Sequence, residues 1–229
     1  MVYRQELKFL CSDYEMEILK HRLRAILPYD SHQTGDSYSV RSVYFDTADD
    51  RCDYENRAGV DERKKYRIRI YNGSDQKISF EIKEKLRSRT KKHSLALTRP
   101  EADALLAGNY FSDICDSSVH NEIFLMEHIE CLSPAVIVEY ERTAFTCPIS
   151  NVRITFDRNL SASAATSEFF AARFARYPIM PVHQHILEVK YDRILPGYIA
   201  QALELGTLQH TSCSKYSLAR QACCCTTTR

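Results

Sequence analysis

The sequence lacks any long apolar run. Even its longest uninterrupted aliphatic runs are short, such as Ala135-Val136-Ile137-Val138. A membrane-spanning helix needs about 18 or more apolar residues. We therefore expect no helix that crosses a bilayer. The first residues, Met1 to Glu6, also lack the apolar stretch of a secretory signal, so we expect a cytoplasmic protein whose nine cysteines are reduced thiols.

Several motifs that would assign a function directly are missing. No two cysteines have the CxxC spacing of zinc ribbons and thioredoxin-like redox sites. The six glycines form neither GxGxxG nor a Walker A loop. If this protein binds phosphates, side chains rather than a glycine-rich loop must bind them.

The composition is that of an ordinary globular chain. It is 44% hydrophobic and 27% charged, and 31 Lys and Arg against 30 Asp and Glu leave a net charge of +1. This near-neutral charge gives no basic stripe, so we expect no nucleic-acid partner. No repeat or long linker is visible, which predicts one domain over residues 1–220 and a flexible tail over 221–229.

Helix signals recur along the chain. Ser12 followed three residues later by Glu15 is typical of a capping box, and Pro28 ends the apolar pattern that follows. Pro100 at the first turn and Gly108 after the last predict a second helix. The predicted helices are one with Ile18, Leu19, Leu23, Ile26 and Leu27 on its buried face, one over 100–108, one from Val119 to Leu132, one around Ile199 to Leu205, and one from Ser214 to Ala222.

Strand signals outnumber helix signals. A polar turn, Asn72-Gly73-Ser74-Asp75, separates two strand patterns as an antiparallel hairpin requires. The stretch from Ser161 to His183 fits either a loop or a short helix. The predicted strands are Tyr3 to Leu10, Tyr38 to Phe45, Lys65 to Tyr71, Ile78 to Leu86, Ser94 to Thr98, Ala135 to Thr146, Val152 to Asp157 and Ile186 to Tyr191.

In these strands charged and apolar residues alternate, so each set lies on one face. Such a face can simply be exposed to solvent. Because Arg or Lys recurs on the same face in strand after strand, we favour a closed antiparallel barrel whose charged set lines a central tunnel. Its bases would require a polyanion such as a phosphate chain. The charged set includes Glu6, Lys8, Arg67, Arg69, Glu81, Lys83, Lys85, Arg153, Asp157, Glu188 and Lys190.

The carboxylates within this charged set can have either of two roles. Glu6, Glu81 and Glu188 can pair with neighbouring bases, or they can hold a divalent cation whose shell phosphate oxygens complete. We favour the metal role for Glu188.

At these residues the sequence resembles the VTC domain, the polyphosphate polymerase domain of the vacuolar transporter chaperone complex, within the triphosphate tunnel metalloenzyme superfamily. The similar motifs occur in the same order over nearly the whole chain. They are Arg4 to Phe9, Ser42 to Thr47, Tyr66 to Arg69, Glu81 to Lys83, Glu139 to Phe145, Val152 to Asp157, Leu187 to Tyr191 and Ser214 to Tyr216.

The resemblance implies an α+β fold, a closed antiparallel tunnel flanked by helices, and a set of site residues. It implies Mn or Mg as metal, ATP and inorganic polyphosphate as partners, and a membrane protein as a further partner. The implied residues are Lys8, Arg67, Arg69, Lys83, Arg142 and Arg153 as phosphate-binding bases, Glu188 as metal ligand, Tyr140 as a tunnel tyrosine, Lys92 (or Lys91) as a further base, and the pair Ser214 and Lys215; the alternating face adds Lys190.

One departure bears on the activity. The polymerase pattern has another lysine three residues before Lys215, where this sequence has Ser212. The sequence therefore predicts a metal-dependent polymerase that transfers the γ-phosphate of ATP to a growing polyphosphate chain. A hydrolase of triphosphate or short polyphosphate, and a polyphosphate-binding module without catalysis, are the alternatives.

Overall fold

The computed structural model describes residues 4–86, 89–109, 111 and 113–226. Within them none of the helices has the length and apolar character needed to span a membrane. Six α-helices and ten strands are found in this part of the chain. They are β1 Arg4–Ser12, α1 Asp13–Arg24, β2 Tyr38–Asp46, α2 Arg51–Ala58, β3 Glu62–Tyr71, β4 Ser74–Leu86, β5 Arg89–Leu97, α3 Arg99–Leu106, α4 Ser118–Glu130, β6 Ser133–Cys147, β7 Val152–Ser163, β8 Tyr177–Pro178, β9 Gln184–Asp192, α5 Gly197–Leu203, β10 Gln209–His210 and α6 Lys215–Thr226.

The strands form one large antiparallel sheet. Its order is β10-β1-β9-β7-β6-β2-β3-β4-β5, and β8 pairs with β7. This confirms the α+β class. The sheet is not closed into the expected barrel, because no pairing among the described residues joins the end strands β10 and β5. At two residues, β10 is too short to supply a closing ladder.

Contacts divide the chain into two compact units. The first contains the chain up to Ser39, from Tyr140 to Leu160 and from Met180 to Cys213. The second contains Val40 to Glu139, Ser161 to Ile179, and the chain from Ser214 onward.

In the first unit the apolar face of the sheet packs on α1 and α5. The Ser12 side chain and Glu15 form the predicted capping box at the start of α1. The helix ends at Arg24, so Ile26 lies beyond it and is exposed. The buried apolar cluster includes Phe9, Leu19, Leu23, Leu27, Phe145, Ile154, Phe156, Leu187, Val189, Ile199 and Leu203.

In the second unit β3 and β4 form the predicted hairpin. Asn72 and Gly73 both have positive φ, as a two-residue turn between right-twisted strands requires. Ile68, Phe80 and Ile82 are fully buried on the apolar face. The charged alternate positions of these strands therefore lie on the opposite face.

Two elements differ from expectation. The sequence does not predict α2, because only Cys52 and Asp53 are buried and no apolar stripe marks it. Its first turn is instead capped from a distance by Asp46, whose carboxylate accepts from the N–H groups of Cys52 and Asp53. At the other end of the chain, α6 continues to Thr226, past Ala222 and into the segment expected to be a flexible tail.

Candidate functional site

The strand register of the first unit places charged side chains in two rows. In β1, β9 and β7 one row is Glu6, Lys190 and Arg153, and the next is Lys8, Glu188 and Thr155. Residues directly opposite in an antiparallel pair have Cβ atoms about 5 Å apart. The alternation that predicts a charged face therefore also brings these groups into contact.

Glu188 lies at the centre of this arrangement. Its carboxylate is 3.0 Å from Lys190 Nζ, 3.7 Å from Lys8 Nζ and 3.8 Å from Arg142 Nη2. The residue is only 5% exposed. Since these contacts gather three cations around one buried carboxylate, we call Lys8, Arg142, Glu188 and Lys190 the Glu188 cluster.

Arg142 is fixed by a second carboxylate. Its Nε and Nη2 donate to the two oxygens of Asp157 at 2.6 and 2.8 Å, and both residues are buried. Burial alone would lower the pKa of Arg142, but Asp157 and then Glu188 raise it, so the guanidinium stays charged. Its carbon Cζ lies 5.1 Å from the ring centre of Tyr140, within cation–π range.

Arg153 is held at the edge of the same row. Its Nη2 lies 3.0 Å from Asp30 Oδ2 and donates to the hydroxyl of Tyr38 at 3.2 Å. About a third of its side chain remains exposed. Arg153 is therefore more accessible than Arg142.

In the described part of the chain no group of three or more His, Cys, Asp or Glu side chains is arranged to hold a metal ion. Glu188 does have an oxygen neighbour in the register, because Thr155 lies directly opposite. Thr155 Oγ1 is buried without a hydrogen-bond partner among the described residues. Oxygen ligands of this kind suit Mg or Mn, and phosphate oxygens and water would complete the coordination shell.

In the second unit the corresponding centre is Glu81, which is 2% exposed. Arg67 donates to it through Nε at 2.8 Å and Nη2 at 2.5 Å, Lys92 Nζ donates at 2.7 Å, and Arg69 Nη1 lies 3.8 Å away. Burial would raise the pKa of Glu81, but Arg67, Arg69 and Lys92 hold it well below its usual range. We call these four residues the Glu81 cluster.

The register of the second unit also aligns three lysines. Lys65 in β3 lies opposite Lys83 in β4, which lies opposite Lys92 in β5. Lys91 instead lies opposite Glu84, on the other face. The register thus favours Lys92, not Lys91, as the base that shares a face with Lys83.

Tyr44 extends the Glu81 cluster. Its hydroxyl accepts a hydrogen bond from Arg67 Nη1 at 3.0 Å. Burial would raise the pKa of this phenol, but Arg67 and Arg69, with a smaller contribution from Lys215, lower it below its ordinary value. Its ring stacks on Tyr216 with centres 5.0 Å apart.

Ser214 and Lys215 stand at the start of α6. The Ser214 hydroxyl accepts from the N–H of Ser217 at 3.4 Å, so it caps the helix. The same hydroxyl accepts a hydrogen bond from Lys65 Nζ at 3.0 Å.

The structure thus brings the expected residues together in two groups, one in each unit. Sequence reasoning assigned no role to Lys65 or Thr155, although the alternation places both on the charged face. The signal for Lys65 was present, since it lies two residues before Arg67 and so on the same face. The first unit holds Lys8, Tyr140, Arg142, Arg153, Glu188 and Lys190, and the second holds Arg67, Arg69, Lys83, Lys92, Ser214 and Lys215.

Comparison with known proteins supports a phosphate-related interpretation. A family model described as the VTC domain matches residues 3–224. A search of curated proteins finds no match.

Solved structures share the fold. A candidate adenylyl cyclase from Hippeastrum, described as having a dominant triphosphatase activity, is similar with a TM-score of 0.56 and 14% identity over 97% of this chain and 96% of that one. A candidate adenylate cyclase from Bacillus halodurans is similar with a TM-score of 0.53 and 14% identity over 93% of this chain and 94% of that one. A candidate adenylate cyclase from Vibrio parahaemolyticus is similar with a TM-score of 0.53 and 10% identity over 95% of this chain and 97% of that one. At these identities the likeness shows the fold alone.

Proposed function

Because the chain belongs to the VTC domain family, we propose that it is a metal-dependent polyphosphate polymerase that transfers the γ-phosphate of ATP to a growing polyphosphate chain. The single observation that carries this proposal is the pair of buried carboxylates, Glu188 and Glu81, each surrounded by three cations. Cations arranged in this way suit a linear polyanion, which can replace a carboxylate as their partner.

The bases would act by binding and neutralising phosphates. Phosphoryl transfer requires little covalent chemistry from a protein, but it requires the γ-phosphate to lie in line with its acceptor while its charge is neutralised. Arg67 and Arg69 have planar guanidinium groups that can bind phosphate oxygens in pairs, whereas Lys8 and Lys190 act as point charges. Asp157 would hold Arg142 in the orientation that the buried pair fixes.

Glu188, with Thr155 beside it, would hold the divalent metal. When bound, Mn or Mg would neutralise phosphate charge and stabilise the leaving group. Lys8 and Lys190 each contact the same carboxylate and would bind the phosphates whose oxygens complete the coordination shell of the metal.

The test is product analysis with purified protein, ATP and Mn. A polymerase forms a ladder of phosphate polymers. Accumulation of inorganic phosphate without a ladder would overturn the polymerase and establish hydrolysis.

Hydrolysis of triphosphate or short polyphosphate is a second candidate. Two observations favour it: Ser212 replaces the lysine expected in the polymerase pattern, and a protein of the same fold is described as having a dominant triphosphatase activity. In this case water replaces the phosphate acceptor at the same bases.

The Glu188→Gln variant separates both enzymes from a module that only binds polyphosphate. If the protein is an enzyme, the variant loses metal-dependent turnover. A binding module has no turnover to lose, and its affinity for polyphosphate stays nearly unchanged. Glu141→Gln is the matched control, because Glu141 pairs with Arg158 on the other face of β6 at 2.8 Å.

A further inference from the structure

The alternating face of β3 carries a gradient of exposure. Arg69 and Arg67 have 8% and 17% of their side chains exposed. Lys65 is half-buried, and Arg63, two residues further, donates to the backbone of Val60 at the exposed end of the strand. A series of cations therefore runs from the buried Glu81 cluster towards solvent along a single strand.

Lys65 stands outside the Glu81 cluster. Glu81 lies opposite Arg67, whereas the residue opposite Lys65 is Lys83. The row of Lys65, Lys83 and Lys92 has three like charges in directly opposite positions, which is unfavourable in a sheet unless an anion compensates. Lys92 turns towards Glu81, whereas Lys65 turns towards the neutral hydroxyl of Ser214.

Distance along the strand separates the two positions. Residues two apart in a strand are displaced by about 7 Å. A short anion bound by Arg67 and Arg69 would not extend to Lys65, whereas a longer phosphate chain running along β3 would reach it.

We propose that Lys65 is a specificity-determining residue that binds phosphates of long polyphosphate chains and contributes little to binding of triphosphate. This deepens the proposed function, because it assigns a length preference to the same group of bases. Lys65 would exchange its hydrogen bond to the neutral Ser214 Oγ for an ion pair with an anionic phosphate oxygen, which is the stronger interaction.

The experiment compares two ligands and matched variants of the full chain. Affinities for tripolyphosphate and for a polyphosphate of several tens of units are measured by calorimetry at one fixed salt concentration. Lys65→Met should weaken binding of the long chain by about tenfold and binding of tripolyphosphate by less than about twofold. Lys65→Arg, which keeps the charge, should restore most of the affinity for the long chain.

Lys64→Met is the matched control. Lys64 is the preceding residue of the same strand and pairs with Glu122 at 2.8 Å. Its side chain lies on the opposite face, so neither affinity should change. Thermal unfolding of each variant checks that it is folded; if Lys65→Met does not fold, Lys65→Gln replaces it.

The outcomes separate the two proposals. If the unmodified protein binds neither ligand, the proposed function fails. If it binds both, and Lys65→Met weakens both equally or neither, the proposed function stands and the role of Lys65 in length preference is overturned.

Discussion

Arg142 and Asp157 form a buried ion pair in which two nitrogens of the guanidinium donate to both oxygens of one carboxylate, at 2.6 and 2.8 Å. Glu141 and Arg158, the adjacent residues on the same two strands, form a second pair on the other face, where both side chains are at least a third exposed. The two ion pairs thus join the same two strands, β6 and β7, and differ chiefly in burial.

Asp157→Asn should therefore destabilise the protein strongly. Removing one partner of a buried pair leaves an uncompensated charge and costs about 3–5 kcal/mol of unfolding free energy. Glu141→Gln should cost less than about 1 kcal/mol, because its pair is exposed to solvent. Urea unfolding of both variants measures the difference; equal losses would show that burial does not decide the strength of these pairs.

Glu81→Gln should make stability depend on added polyanion. The variant leaves Arg67, Arg69 and Lys92 without their shared carboxylate, so its melting temperature should fall in low salt. Tripolyphosphate should recover most of that loss, because it supplies the missing negative charge. Glu84→Gln, on the opposite face of β4, is the control. A melting temperature of Glu81→Gln that does not respond to tripolyphosphate would contradict the exchange of carboxylate for phosphate.

Glu127 should make stability depend on pH. Both of its carboxylate oxygens are buried without a hydrogen-bond partner among the described residues, and burial raises its pKa to about 8. Between the ordinary value of 4.5 and about 8 the unfolded chain releases this proton while the folded chain keeps it, so rising pH destabilises the fold over that range. Glu127→Gln should be more stable than the unmodified protein at pH 9, by about 5 kcal/mol, and equally stable at pH 4. If the difference in unfolding free energy between Glu127→Gln and the unmodified protein does not change with pH, Glu127 is not a neutral buried carboxyl.

Asp13 should stabilise the start of α1 except in strong acid. Its two oxygens contact His185 Nε2 and His183 Nδ1, each at 2.5 Å, and these hydrogen bonds lower the pKa of Asp13 below its usual value of 3.8. A lowered pKa adds stability above pH 3.8, and this stability is lost as the pH falls through the lowered value. Asp13→Asn should therefore lower the melting temperature at pH 6 and have less effect at pH 2.5. Asp36→Asn, which removes an exposed partner of Arg24, is the control.

Much of the local structure could be predicted because its causes are local. The capping box of Ser12 and Glu15, the turn at Asn72 and Gly73, and the alternation in β3 depend on residues within a few positions of one another. Helix α2 could not be predicted in this way, because the carboxylate that caps it comes from Asp46, at the end of another strand.

The sequence by itself determined which residues share a face, since the period of a strand is two whatever its neighbours are. It therefore determined that Arg67 and Arg69 share one face of their strand, and that Glu6 and Lys8 share one face of theirs. Only the tertiary structure decided which bases meet which carboxylates. Lys8 meets Glu188 because the register between β1 and β9, two strands distant in sequence, places them opposite each other. That register is set by packing of the whole apolar face, such as Phe9, Ile154 and Leu187 in the first unit, and no short stretch of the chain contains this information.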